Sequence, residues 1–434
     1  MSKEEVVGRS VSDIEDYGNI GCGYMGKLVS YPGGKYEEVG DIFLDITSPH
    51  CILVVGKRGT GKSYTLGVLA ENFAALDRRY RKKISVLLVD TMSVFHSLKT
   101  PNTNRQELKQ LKEYGLKAQD FEKNVKIFIP KIALDKAKEK GQDLHYDHQL
   151  TLPLSDVDTH DWLNLFDLKP TEPAGILLVR AMQEVSKIPN FGYSEISKAI
   201  HELGKDPAAK ESLLNLFKSI RDLGVFSKKG TSYDTLVRGG QISVLDLSYL
   251  GRIGGFDLRN LILAVIGRRM LAERTLYTTI QMQAEANLID DDYYSNLTDK
   301  HPLVYMLLDE AHLFLPSNDT TLATQTLIDW IKLGRHPGLS LIMATQEPSA
   351  LHESAIRQAD IILAHNVTSN DDVEALGKAK QSFMKGDKDI QQIVASMEYR
   401  RGLAVLFDDK TQTVELCKIR PRYTLHTGID ASAL

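Results

Sequence analysis

The stretch from Cys51 to Ser63 limits what this chain can fold into more than any other. Cys51-Ile52-Leu53-Val54-Val55 is a continuous apolar run closed by glycine, the pattern of a parallel strand buried on both faces. It runs directly into Gly56-Lys57-Arg58-Gly59-Thr60-Gly61-Lys62-Ser63, which matches G-x-x-x-x-G-K-[ST], and a helix-forming stretch starts at Tyr64. Glycines at these positions let the backbone curl so that successive N–H groups point at phosphate oxygens, and the following helix adds the positive end of its dipole. Lys62 is then expected to reach the β- and γ-phosphates, and Ser63 to ligate Mg²⁺ through its hydroxyl. Gly56 to Tyr64 are the expected nucleotide-binding residues.

The same buried-strand signature returns at Ile84–Val89, Ile242–Leu245, Leu303–Leu308, Leu339–Ala344 and Ile361–Ala364, with helical stretches between, so the natural reading is an α/β fold with a mainly parallel sheet. Residues 1–50 read differently. Glycines alternate there with short apolar runs such as Tyr24–Val29 and Asp41–Asp45, and Pro32-Gly33-Gly34 marks a turn, giving a short N-terminal β region. Residues 100–235 are charged and helix-favouring, as at Asn104–Leu116 and Glu195–Leu223, and are expected to form a mostly helical insertion. The Lys- and Glu-rich run Asn104–Lys140 is read as a solvated helix surface, with a DNA-facing surface as the alternative. The core is then assigned to 51–99 and 236–434.

Composition removes other function classes. No apolar stretch is long enough to span a bilayer, and MSKEEVVGRS lacks the apolar core of a secretory signal, so a soluble, cytoplasmic protein with no membrane partner is expected. Three cysteines, Cys22, Cys51 and Cys417, are too widely separated to suggest a disulfide framework or a zinc site. A net charge of −4 argues against a basic nucleic-acid coat but is compatible with a narrow charged channel.

A phosphate cradle does not activate water by itself. The run Leu303–Leu308 ends in Asp309-Glu310, which places two carboxylates at the C-terminal edge of a core strand, where α/β sheets bind ligands. Asp309 is expected to hold the magnesium, and Glu310 to act as the general base for the attacking water. A plain helix cap is the competing reading. Asp309-Glu310-Ala311-His312 spells the box of one class of RNA helicases, but no second lobe with their arginine motif follows, and His312 is read as a packing residue. The next strand ends at Thr345-Gln346, so Gln346 is expected beside Glu310 as a γ-phosphate sensor. Arg335, in Gly334-Arg335-His336-Pro337-Gly338, is read either as a surface salt bridge or as a guanidinium facing a neighbouring subunit.

The run Leu333-Gly334-Arg335-His336-Pro337-Gly338 through Ala344-Thr345-Gln346-Glu347-Pro348-Ser349 resembles the signature of the HerA–FtsK ring ATPases. The box at Asp309–His312, Ile242–Ser248 before a helix, and the tail Ile419-Arg420-Pro421-Arg422-Tyr423-Thr424-Leu425-His426 are closest to HerA. The resemblance implies a RecA-like P-loop ATPase core that binds ATP and Mg²⁺. It also implies a homo-hexamer with nucleotide between subunits, double-stranded DNA in the pore, and Arg335 acting from the adjacent subunit. Relatives work with a nuclease or a sirtuin-like effector, some in antiviral defence, so such a partner is implied here as well. Three features depart from the pattern. Only 55 residues precede Gly56, so the N-terminal barrel is expected to be partial. Asp90-Thr91-Met92-Ser93-Val94 lacks the Gly-Glu pair often found after that strand, leaving Asp90 to support the site or to cap a helix. Glu347 stands where many relatives have arginine. The leading expectation is a ring motor that moves or grips duplex DNA. The alternatives are a nucleotide-dependent regulatory subunit of an effector enzyme, and a conjugation or secretion ATPase.

Overall fold

The computed structural model describes residues 3–30, 36–253, 255–288, 301–367, 369–379 and 402–428, so the turn expected at Pro32-Gly33-Gly34 lies outside the described residues. In chain order the first strands are β1 (Lys3–Val7), β2 (Cys22–Ser30), β3 (Glu37–Asp45), β4 (Cys51–Val55), β5 (Ile84–Asp90), β6 (Val125–Pro130) and β7 (His148–Leu150). Then come β8 (Leu152–Pro153), β9 (Phe226–Ser227), β10 (Ile242–Asp246), β11 (Arg252–Ile253) and β12 (Phe256–Asp257). The last are β13 (Leu303–Leu308), β14 (Leu339–Thr345), β15 (Ile361–Ala364), β16 (Leu403–Asp408) and β17 (Thr413–Ile419). Thirteen of them form one sheet in the order β1-β3-β2-β17-β16-β15-β4-β14-β13-β5-β10-β6-β7. From β15 to β7 every neighbouring pair is parallel, so the C-terminal ends of these strands share one edge.

The uninterrupted apolar runs are explained by burial on both faces. In β4, Leu53 and Val55 face one core while Ile52 and Val54 face the other; in β13, Met306 and Leu308 take the first side, Tyr305 and Leu307 the second. Each such side chain contributes about 1.5–3 kcal/mol by leaving water, so a polar residue without a hydrogen-bond partner at one of these positions destabilises the sheet by at least that order. Helices α1 (Val11–Tyr17), α2 (Lys62–Ala75), α3 (Arg78–Arg81), α4 (Arg105–Glu113) and α5 (Lys131–Glu139) precede a helical group. That group comprises α6 (Thr159–Leu165), α7 (Pro173–Val185), α8 (Tyr193–Leu203), α9 (Pro207–Asp222) and α10 (Tyr233–Leu236), followed by the long α11 (Leu258–Glu285). Sequence-local caps begin these helices: Asp206 accepts from Ala208 N–H at 2.9 Å ahead of Pro207, and Glu195 reaches back to Gly192 N–H at 2.9 Å. Trp162 packs among Phe166, Phe217 and Phe226 with ring centroids 5.1–5.5 Å apart, giving the group its own aromatic centre.

Two expectations drawn from the sequence change here. The segment 100–235 is mostly helical, but it also supplies β6 and β7 to the main sheet beyond β10, so the sheet is not confined to 51–99 and 236–434. Lys126 disguises β6 by interrupting its apolar run, its side chain sitting 3.6 Å from Asp147. The N-terminal strands are not a partial barrel set apart from the core: β2 pairs antiparallel with β17 and carries β3 and β1 along the same sheet. With one face more open, β3 alternates buried and partly exposed positions over Gly40–Leu44, unlike the fully buried β5.

After β17 the chain crosses behind α2. Arg420 and Arg422, both fully buried, close on Glu71 of α2 at 2.8 and 3.1 Å. Arg422 lies where a side chain at position 67 would stand, since a Cβ on Gly67 would come 2.7 Å from its guanidinium carbon.

Candidate nucleotide site

The phosphate-loop residues come together as the sequence implied. Gly56, Gly59 and Gly61 have φ of 156°, 76° and 116°, conformations that L side chains rarely adopt, and α2 starts directly after them at Lys62. Three donors converge on the Lys57 carbonyl oxygen: Thr60 N–H at 3.2 Å, Thr60 Oγ1 at 2.7 Å and Lys62 Nζ at 2.9 Å. Lys57, Arg58 and Gly59 are exposed at the loop tip. Burial lowers the Lys62 ammonium pKa, against the opposing pull of Glu310 and Asp309. Tyr64 turns away, its hydroxyl accepting from Arg422 N–H at 2.7 Å, so what it offers the loop is its backbone N–H.

β14 lies between β4 and β13, with Thr345 opposite Val55 and Met343 opposite Leu308. This register sets Gln346 beside Asp309 and Glu310 on the shared edge. Asp309 is buried, and Ser63 Oγ lies 3.4 Å from each of its carboxylate oxygens. Burial first, then the charges of Glu310 and Asp90, push Asp309 up to about 7. Asp90 is pushed up to about 6, again chiefly by burial, while its oxygens accept from Met92 and Phe95 N–H at 3.0 and 2.8 Å. Asp90 therefore shapes the turn after β5 and also adds negative charge beside Asp309.

Glu310 takes a left-handed backbone, φ 52° and ψ 53°, which turns its side chain back over the edge at a cost of about 1–2 kcal/mol. Its Oε1 accepts from Gln346 Nε2, and its Oε2 is buried with no hydrogen-bond partner. His312, read from the sequence as a packing residue, belongs to this group instead. Its Nδ1 stands 3.1 Å from Thr345 Oγ1 and 3.6 Å from Glu310 Oε2. The helix-cap reading of Asp309-Glu310 fails too: neither side chain caps the single turn that follows. The signal for His312 was its place two residues beyond Glu310, which a tight left-handed turn folds back onto the carboxylate. A second missed residue, His365, follows β15 and lies against the loop, with Nε2 2.9 Å from Thr65 Oγ1.

Arg335 is not brought to this edge. It sits in the turn before β14, at the opposite end of that strand, and seven strand residues at about 3.3 Å each put it roughly 20 Å from Gln346. It is exposed and makes no ion pair among the described residues, so the surface salt-bridge reading does not hold. No cluster of three or more His, Cys, Asp or Glu capable of holding a metal occurs among the described residues. A hydroxyl and a carboxylate at the Ser63–Asp309 spacing are hard oxygen donors of the kind Mg²⁺ takes alongside phosphate oxygens, so the residues fit that ion. No helix among the described residues is long and apolar enough to cross a membrane.

A family profile described as helicase HerA, central domain, matches residues 25–257, more than half of the chain; the match includes the phosphate loop and ends before Asp309. Comparison with curated proteins gives no match. Among solved structures, VirB4 of Thermoanaerobacter pseudethanolicus is 14% identical, over 91% of this chain and 96% of that one, with a TM-score of 0.53. The bacterial conjugative coupling protein TrwB, in complex with sulphate, is 10% identical over 88% of this chain and 89% of that one, TM-score 0.48. The genome packaging NTPase B204 from Sulfolobus turreted icosahedral virus 2, in complex with AMPPCP, is 12% identical over 86% and 98%, TM-score 0.35. The VirB4 likeness shows a shared fold, a mixed α/β one around a large, mostly parallel sheet.

Proposed function

The chain belongs to the HerA family and is a P-loop ATPase, and on that premise we propose that it works as a hexameric ring motor. In this reading it moves or grips double-stranded DNA and serves a nuclease or other effector partner. Gly56 to Tyr64 hold the ATP phosphates through backbone N–H groups, with Lys62 as the counter-charge. Glu310 orients the attacking water and takes its proton, and Gln346 links that carboxylate to the γ-phosphate. Ser63 and Asp309 would hold Mg²⁺, which supplies charge neutralisation between the phosphate oxygens. The helicase description of the family supports nucleic acid as the track.

The observation that carries the ring is Arg335. It is exposed, unpaired among the described residues and at the far end of β14 from its own phosphate loop, so a neighbouring subunit is the site it can serve. The test mixes Arg335→Ala protein with Glu310→Gln protein, each deficient alone. Rings containing both should recover hydrolysis, because some interfaces then pair an intact Glu310 with an intact Arg335; verified mixed rings with no recovery overturn the shared site. Duplex DNA added to wild-type protein should raise ATP turnover. Turnover indifferent to DNA but altered by a co-purifying protein would support a regulatory subunit instead.

A further inference from the structure

β15 flanks β4 on the side away from β14, and its continuation grips the phosphate loop at both limbs. His365 N–H donates to the Val55 carbonyl at 2.8 Å, and Lys57 N–H donates to the Asn366 carbonyl at 3.0 Å, so the strand ladder runs on into the loop. The imidazole of His365 reaches the other limb. It is fully buried, with Nδ1 2.9 Å from the Leu403 carbonyl oxygen and Nε2 2.9 Å from Thr65 Oγ1 on the first turn of α2. A carbonyl only accepts, so Nδ1 carries the proton and Nε2 accepts from the Thr65 hydroxyl. Burial holds the imidazolium pKa down to about 4 despite the Leu403 bond, which keeps the ring in that neutral form. The side chain also packs against the loop's glycines, through its Cβ at Gly56 and its ring at Gly61. A Cβ at Gly56 would lie 2.7 Å from His365 Cβ, and one at Gly61 would lie 3.8 Å from its Cε1.

We propose that His365 is the positioning residue of the phosphate loop: one side chain, braced on Leu403 at the start of β16, sets the distance between the Gly56 limb and the Thr65 limb. Through that distance it fixes the opening that receives the triphosphate. The proposal rests on the nucleotide reading of the loop. Three glycines with positive φ give the loop conformational freedom; the bonds to the Lys57 carbonyl restrain it within the loop, and His365 spans its two limbs.

The test is calorimetric binding of β,γ-methylene ATP to the full chain, combined with steady-state ATPase kinetics. His365→Asn keeps a donor toward Leu403 and loses the acceptor for Thr65, whereas the isosteric Thr65→Val removes the same bond from the other side. Each should weaken binding about five- to tenfold, the fold-change one neutral hydrogen bond supports, with KM rising more than kcat falls. The double variant should bind no more weakly than either single one, and His365→Gln, whose amide extends to the Nε2 position, should recover most of the affinity. A lowered Tm with binding within about twofold of wild type, or a double variant weaker by the product of the two single losses, overturns the proposal. If His365→Asn does not fold, Thr65→Val carries the test alone. Lys62→Ala separates the two readings: lost binding there with none lost in Thr65→Val overturns positioning alone, and binding unchanged in Lys62→Ala overturns the nucleotide site and the proposal with it.

Discussion

Glu71 and Asp309 are both buried beside α2, one near its third turn and the other at its N-terminus, and their surroundings differ in kind. Glu71 accepts five hydrogen bonds, from both buried guanidiniums, the Thr424 hydroxyl and the N–H groups of Tyr423 and Thr424. Burial alone would raise its pKa, but Arg420 and Arg422 outweigh that and hold it below the usual carboxylate range. Asp309 has the hydroxyl of Ser63 at 3.4 Å, two like charges nearby and one partly opposing cation, Lys62. A buried charge cluster that completes itself is architecture. One left short of positive charge is a place for a cation or a charged ligand, and the contrast sorts the two without reference to any relative.

The largest effect expected from breaking this contrast is at the incomplete cluster. Glu310→Gln should keep the Gln346 contact and nucleotide binding yet lose on the order of 10²–10⁴-fold in ATP turnover, with little change in Tm. The complete cluster should answer in the opposite way. Glu71→Ala leaves two guanidiniums buried without their carboxylate and should cost about 3–5 kcal/mol in denaturant unfolding, and any protein that still folds should retain its kcat. Next in size is the pH response. The unfolded chain ionises Asp309 near pH 4 and the folded, nucleotide-free chain near pH 7, so the folded state binds the extra proton across that window. Asp309 thus adds no penalty below pH 4, and its cost grows as pH climbs to 7 and persists above. Asp309→Asn should remove that cost, stabilising the protein at pH 8 by on the order of a few kcal/mol while changing nothing at pH 4. Unfolding curves of both proteins at the two pH values decide it. The smallest effect sharpens the site's edge: His312→Ala should lower kcat by about three- to tenfold, leaving affinity for β,γ-methylene ATP alone.

What was legible in the sequence follows the same division. The phosphate loop could be read because strand, glycines and helix are contiguous, and Asp309, Glu310 and Gln346 could be read because each directly ends a fully buried strand. The Glu71 cluster could not. Its partners lie 349 and 351 residues away, and nothing in the local pattern of Ala70-Glu71-Asn72 predicts two arginines. β6 was hidden by one lysine, and the N-terminal strands were misplaced because pairing with β17 is a long-range choice that alternation does not encode. His312 and His365 look like ordinary histidines until a left-handed turn at Glu310 and the β4–β15 pairing carry them to the site.

The separation between Glu71 and Arg420 also has a meaning in time. At about 5–20 residues per second, synthesis leaves Glu71 without its guanidiniums for roughly 20 to 70 s. Over the same interval β1, β2 and β3 have no β17 through which to join the sheet. A chain made as far as β16 already holds the phosphate loop and the strands on either side of it while Glu71 on α2 still lacks its guanidiniums; β17 and the Arg420–Arg422 segment directly after it supply what both gaps need.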